Sequence, residues 1–241
     1  MKIQSNNKIK RLLYRITGYS KEQTDFLMEN TFTDDEINII QYAFNRGINA
    51  EQAKIFLNGR VWNKQSVRKV VLAFLSGLSY EEVEFCFPSW STPEQSQEAV
   101  KGFEAGLSPK KIQFYFQKGY SSHDMSMLRN ALIHNIPIED LSTLICTTNH
   151  LDTAQMYEGI KGLAAGLDLE HVLFYCRSGY TAEQMEQARM GLINGLNTSQ
   201  LSVFYIPEIS SERMKKIRFQ IEDELNCQYV RKGINCVKGE V

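Results

Sequence analysis

The side chains best suited to metal or nucleophilic chemistry are four histidines (His123, His134, His150, His171) and five cysteines (Cys86, Cys146, Cys176, Cys227, Cys236). No two histidines are four residues apart, so none share a helical face as a His-Glu-x-x-His site requires, and no Cys-x-x-Cys pair occurs. A Gly-x-Ser-x-Gly elbow is absent, as is Ser-x-x-Lys with its supporting motifs. Neither a Walker loop nor a dinucleotide fingerprint is present. The sequence therefore leads to the expectation of no catalytic residue, no metal and no cofactor.

The elements that position these residues emerge from the turns. Gly47, Gly77, Gly106, Asn135, Gly166 and Gly195 recur at spacings of 29 to 31, each followed by Ile or Leu. Gly and Asn are favoured just past a helix end, where a left-handed backbone is needed. That places the glycines at helix C-termini, the wrong end for capturing a phosphate. Fourteen residues before each turn stand Thr33, Asn63, Thr92, Ser121, Asp152 and Thr181, all good helix caps. Thr33/Glu36, Thr92/Gln95 and Thr181/Gln184 form capping boxes. Residues on either side of the caps, such as Trp62 with Val67 and Tyr180 with Met185, form hydrophobic staples in every copy but the third, which has Ser91 and Ser96. The recurring methionines Met125, Met156, Met185 and Met214 are explained by that staple rather than by metal ligation. A seventh copy starts at Ile209 and Ser210 but lacks its turn glycine.

The first helix of each copy presents an apolar face that includes Phe44, Phe74, Phe103, Leu132, Leu163 and Leu192. Four residues before the turn runs a column of small side chains: Ala43, Ala73, Gly102, Ala131, Gly162 and Gly191. Interior glycine costs about 1 kcal/mol relative to alanine, which is tolerable where it admits a neighbouring helix. A second, shorter helix starts at Asn49, Ser79, Ser108, Pro137, Asp168 and Asn197; five of these six can cap. Cys86 and Cys176 fall near its end, where other copies have Tyr115 and Phe204, and read as packing residues.

These features predict an all-α fold, a solenoid of stacked helical hairpins with a period of about 30 residues. Residues 1–31 read as N-terminal capping helices, with Ile9, Leu12, Leu13 and Ile16 on one amphipathic face and a second helix from Ser20. Residues 32–225 form the hairpin array and residues 226–241 a C-terminal tail. The array resembles tetratricopeptide and HEAT-type helical-hairpin arrays in architecture, although the tetratricopeptide Trp/Leu-Gly/Tyr pattern is absent. Gln-Met near the start of one helix and Gly-Leu at its end are similar to short repeats in bacterial and mobile-element proteins. That resemblance implies a bacterial or phage setting and carries no activity with it.

Net charge is −1, so no global field draws the chain to nucleic acid or anionic lipid. No apolar run approaches the about 20 residues needed to span a bilayer. The first residues lack a signal-peptide core, and the scattered, odd number of cysteines suits a reducing cytoplasm.

One column does not fit simple packing. Eight residues past the turn come Ile55, Phe85, Phe114, Thr143, Phe174 and Val203, which makes the second helix apolar on two sides. Either second helices touch neighbours on both sides, or Phe85, Phe114 and Phe174 form an exposed aromatic stripe. The stripe would be flanked by Glu51, Glu81, Lys110, Glu139 and Glu170. We take Phe85, Phe114, Phe174, Glu81, Lys110 and Glu170 as candidate binding residues. The function expected is non-enzymatic protein–protein interaction, because a mostly acidic row suits a protein partner better than a phosphate backbone. The alternative partner is nucleic acid, held by Arg68, Lys69, Lys101, Arg129, Lys161 and Arg189 if these fall on one stripe. The basic N-terminus (Lys2, Lys8, Lys10, Arg11, Arg15) is weak evidence for membrane contact, which is not expected.

Overall fold

The computed structural model describes residues 14–58, 64–148 and 150–231, and these residues form an all-α protein with no strand among them. The expected cap Asn63 with its staple residue Trp62, the opening-helix residues Ile9, Leu12 and Leu13, and the tail past Arg231 lie outside the described residues.

The chain divides into two compact units, residues 1–129 and 130–241. The first contains α1 (Lys21–Glu29), α2 (Asp34–Phe44), a 3-10 segment (Gln52–Asn58), α3 (Lys64–Leu75), α4 (Tyr80–Cys86), α5 (Pro93–Glu104), α6 (Pro109–Tyr115) and most of α7 (Ser122–Ile133). Here α2 packs on α3, α3 on α5, and α5 on both α4 and α6. The second unit contains α8 (Ile138–Thr147), α9 (Thr153–Ala164), α10 (Leu169–Tyr175), α11 (Ala182–Ile193), α12 (Thr198–Leu201) and α13 (Ser211–Arg231). There α9 packs on α11 and α11 on α13, while α10 touches α8, α9 and α11.

The helix starts follow from the capping residues. Thr33, Thr92, Asp152 and Thr181 each close a capping box with the residue three positions on, as do Ser20, Ser79 and Asn197 on the shorter helices. Ser108 and Asp168 cap with a single side-chain bond, and Pro137 caps without one. In the third copy, where the apolar staple is missing, the Ser91 and Ser96 hydroxyls are 2.7 Å apart and hydrogen-bond to each other instead. A polar contact thus stands in for the apolar one at the same place in the chain.

The capping-box glutamines do more than cap. Gln95 Nε2 donates to the Tyr120 carbonyl, Gln155 to that of Tyr180 and Gln184 to that of Ile209, each 25 residues ahead. In each case the acceptor immediately precedes the next cap (Ser121, Thr181, Ser210), so one helix start is tied to the next.

Two second-row elements depart from the expected short α-helix. Residues 52–58 form a 3-10 helix even though Asn49 and Gln52 make their reciprocal capping bonds. The three-residue turn puts Ala53 and Phe56 on one side, and both are fully buried. The last, α12, is only four residues long. At the other end, α13 runs to Arg231, into the segment expected as a tail, because no glycine interrupts it at Glu224.

All six turn residues adopt positive φ, from Asn135 at 61° to Gly77 at 97°. Gly166, at φ 83°, has open space around an added Cβ, so a side chain there meets backbone strain and nothing else. Gly166→Val is expected to destabilise the fold by about 1–3 kcal/mol. An unchanged melting temperature would count against the turn.

Candidate functional site

The most elaborate polar arrangement is repeated and was not anticipated from the sequence. Glu98 on α5 is only 6% exposed. Its carboxylate takes Lys101 Nζ at 2.6 Å and Arg129 Nε at 3.0 Å, and its carbonyl accepts the Tyr115 hydroxyl at 2.9 Å. Sixty residues later in the sequence, Glu158 on α9, also 6% exposed, takes Lys161 at 2.7 Å and Arg189 at 2.9 Å, and its carbonyl accepts the Tyr175 hydroxyl at 2.9 Å. A third, altered version follows: Arg218 reaches Gln187 Oε1 at 3.4 Å and takes its charge partner from Glu222 at 2.8 Å.

The tyrosines depend on the small-residue column. A Cβ on Gly102 would stand 2.1 Å from the Tyr115 hydroxyl oxygen, and one on Gly162 would stand 2.1 Å from that of Tyr175. Where the first helix has alanine instead, as at Ala43, Ala73 and Ala131, the position nine past the turn holds Phe56, Cys86 or Leu144, none of which has a phenolic oxygen. At Gly102 and Gly162 the missing side chain therefore admits the tyrosine of the same hairpin's second helix, whereas a Cβ on Gly191, whose hairpin has Phe204 at that position, would meet Leu196 and Leu201 instead.

The candidate binding residues divide between the units. Phe85 and Phe114 lie in the first and Phe174 in the second, and all three are half-buried. Phe85 meets Phe103 edge-on at 5.8 Å and Phe116 at 5.9 Å, so part of its ring serves the core. Phe174 carries the Arg177 guanidinium 4.7 Å above its ring and approaches Tyr205 at 6.4 Å. In the same column Ile55 is buried, Thr143 is exposed and Val203 is 61% exposed. Glu81, Lys110 and Glu170 are exposed, as is Glu139. The column thus both packs and reaches the surface.

The basic residues of the nucleic-acid reading are largely engaged. Lys101 and Arg129 serve Glu98, and Lys161 and Arg189 serve Glu158. Lys69 donates to the Pro93 carbonyl at 2.8 Å.

The histidines stay apart. His123 lines a shallow polar groove with Lys69, Glu94 and Lys101. His171 follows the cap Asp168, its Nδ1 2.9 Å from that carboxylate. Among the described residues no three His, Cys, Asp or Glu side chains gather into a metal-binding group. Nor is any helix among them long and apolar enough to cross a membrane.

Cys86 and Cys176 are buried, whereas Cys146 is exposed. Cys86 stands at the tyrosine position of its copy, while Cys176 follows Tyr175 rather than replacing it. Burial pushes the Cys86 thiol well up and that of Cys176 up to about 12, and it raises the phenols of Tyr115, Tyr175 and Tyr205. Groups held neutral by burial stabilise the fold fully below their unfolded values, which are 9.0 for the thiols and 10.0 for the phenols. That contribution is lost as pH rises beyond them, since the unfolded chain releases these protons first. Stability is therefore expected to fall from about pH 9 upward. Iodoacetamide at neutral pH is expected to modify Cys146 well before Cys86 or Cys176, as read by peptide mass spectrometry. Equal rates at Cys86 and Cys146 would contradict this burial.

Compared with protein-family models, with curated proteins and with solved structures, the chain matches none of them.

Proposed function

We propose that this protein is a solenoid of stacked helical hairpins, about 30 residues per copy, that acts as a non-enzymatic interaction module. It holds another protein along its second helices, and its setting is the cytoplasm of a bacterium or a phage-infected cell. The observation that carries the reading recurs within each unit: half-buried Phe85 and Phe114 with exposed Glu81 and Lys110 on the same second helices of the first, and half-buried Phe174 with exposed Glu170 on α10, together with exposed Val203, in the second. Half-buried aromatics are already held in place by their core contacts, so a partner gains their area at small entropic cost. Engagement of Lys101, Arg129, Lys161 and Arg189 by buried glutamates weighs against a phosphate backbone as the ligand.

The test compares proteins captured from an extract of the encoding cell by the wild-type chain and by Phe114→Ser/Phe174→Ser and Glu81→Lys/Glu170→Lys variants of unchanged helicity. The reading expects a stoichiometric protein that both variants lose. A captured protein that both variants retain would overturn it. So would a gel shift with nucleic acid that weakens steeply between about 50 and 200 mM salt.

A further inference from the structure

We propose that the outer side of α13 is a self-association surface, through which two copies of this chain pair about a two-fold axis with their α13 helices antiparallel. The surface lies apart from the column of the second helices and uses none of its residues. α13 packs on α11, and on the packed side Met214 and Arg218 are buried and Ile217 and Ile221 half-buried. On the opposite side Lys216, Phe219 and Asp223 stand at i, i+3 and i+7, so they share one face. Lys216 and Asp223 are exposed, and Phe219 keeps 47% of its surface open.

The two preceding copies of the same unit show what such a face does. Six residues past their caps, Glu158 on α9 and Gln187 on α11 are buried, each meeting the arginine of the next first helix. The matching residue of α13, six past Ser210, is the exposed Lys216. A position that is covered twice earlier in this unit is thus open on α13.

The charges identify the occupant. Arg213, Lys215 and Lys216 stand in the first two turns with one acid, Glu212, whereas Asp223 and Glu224 come after Phe219. Glu222 is already held by Arg218 at 2.8 Å. No cation lies three or four residues to either side of Asp223 or Glu224, so their own helix cannot pair them. A foreign helix would need the same two charge blocks in reverse order. A second α13 run antiparallel has them: Lys216 meets Asp223 of the second copy, and Arg213, about three turns from Glu224 along one flank, reaches Glu224 of the second copy. Each pair forms twice, once on either side of the axis. The axis falls midway between Lys216 and Asp223, where Phe219 faces its own counterpart. That ring is steadied by Arg218 at 4.4 Å and Lys215 at 6.0 Å from its centre.

Sedimentation equilibrium of the full chain across micromolar concentrations tests this. The wild type is expected to form a reversible dimer that weakens with salt. Lys216→Glu and Asp223→Lys are each expected to weaken the dimer at least about tenfold, because each sets like charges against one another across the axis. Combining both changes in one chain restores opposite charges and is expected to recover most of the wild-type affinity, as is an equimolar mixture of the two single variants. Phe219→Ser is expected to weaken the dimer too. All three positions are exposed, so helicity by circular dichroism is expected to stay unchanged in every variant. A wild-type chain that remains monomeric throughout would overturn the surface, as would a dimer that the single reversals leave intact. Reversals that weaken the dimer without rescue by the combined change would overturn the antiparallel pairing.

Discussion

Replacing Glu158 with alanine is expected to lower the unfolding free energy by about 3–5 kcal/mol. The carboxylate is nearly sealed from solvent, and two cations converge on it. Lys161 is partly exposed and turns to water when its partner goes. Arg189, 9% exposed, cannot do so, because it arises from α11 and lies between the two helices. The loss is the desolvation of a guanidinium left with Glu186 at 4.0 Å, itself half exposed, and it outweighs the modest net gain from any salt bridge formed in water. Urea denaturation reads the effect directly, and a loss below about 1 kcal/mol would mean that Arg189 escapes to solvent. Glu98→Ala should behave in the same way through Arg129, which is also largely buried.

The second large effect reverses the sign that helix propensity assigns. Alanine in place of an interior glycine ordinarily gains about 1 kcal/mol of helix stability. Gly162→Ala is instead expected to cost about 2–3 kcal/mol, because the new methyl group would stand 2.1 Å from the Tyr175 hydroxyl oxygen. Moving the ring aside breaks its bond to the Glu158 carbonyl and disturbs a fully buried side chain. Tyr175→Phe removes the offending oxygen, leaving the next ring atom at 3.3 Å and Val172 at 3.0 Å. The double variant is therefore expected to recover part of the loss, even though phenylalanine alone destabilises by forfeiting the hydrogen bond. Melting curves of the four proteins decide it. A Gly162→Ala variant at least as stable as the wild type would show that the close approach is absent.

Much of the fold could be read from residue types because the signals are local. A threonine followed three residues later by glutamate or glutamine marks a helix start, and glycine fourteen residues on marks its end. Thr33, Thr92 and Thr181 cap their helices, and every expected turn residue is left-handed. The glutamates escaped notice for an equally local reason. By spacing alone, Glu98 with Lys101 and Glu158 with Lys161 are i,i+3 pairs that nothing in one dimension distinguishes from solvated ones. Only the arginines 31 residues further on reveal that those faces are covered. The signal was present as an offset of 60 residues rather than 30: Glu98, Lys101, Gly102, Tyr115 and Arg129 recur as Glu158, Lys161, Gly162, Tyr175 and Arg189. A search at the single-copy period averages it away.

The candidate site was legible in part. The second helices are apolar on two sides, but spacing cannot tell a ring that packs from one that shows. Phe85 does both, meeting Phe103 and Phe116 while keeping an open edge.

The proposed stacking of hairpins requires neighbouring first helices to be fastened to one another, as α9 is to α11 through Glu158 and Arg189. The double-mutant cycle between Glu158 and Arg189, built from Glu158→Leu, Arg189→Met and the pair, measures that fastening. The account predicts a coupling of about 1.5 kcal/mol or more, with the double variant recovering much of what each single change loses. Single effects that add within about 0.5 kcal/mol would contradict it, since residues on α9 and α11 that do not touch have no reason to couple.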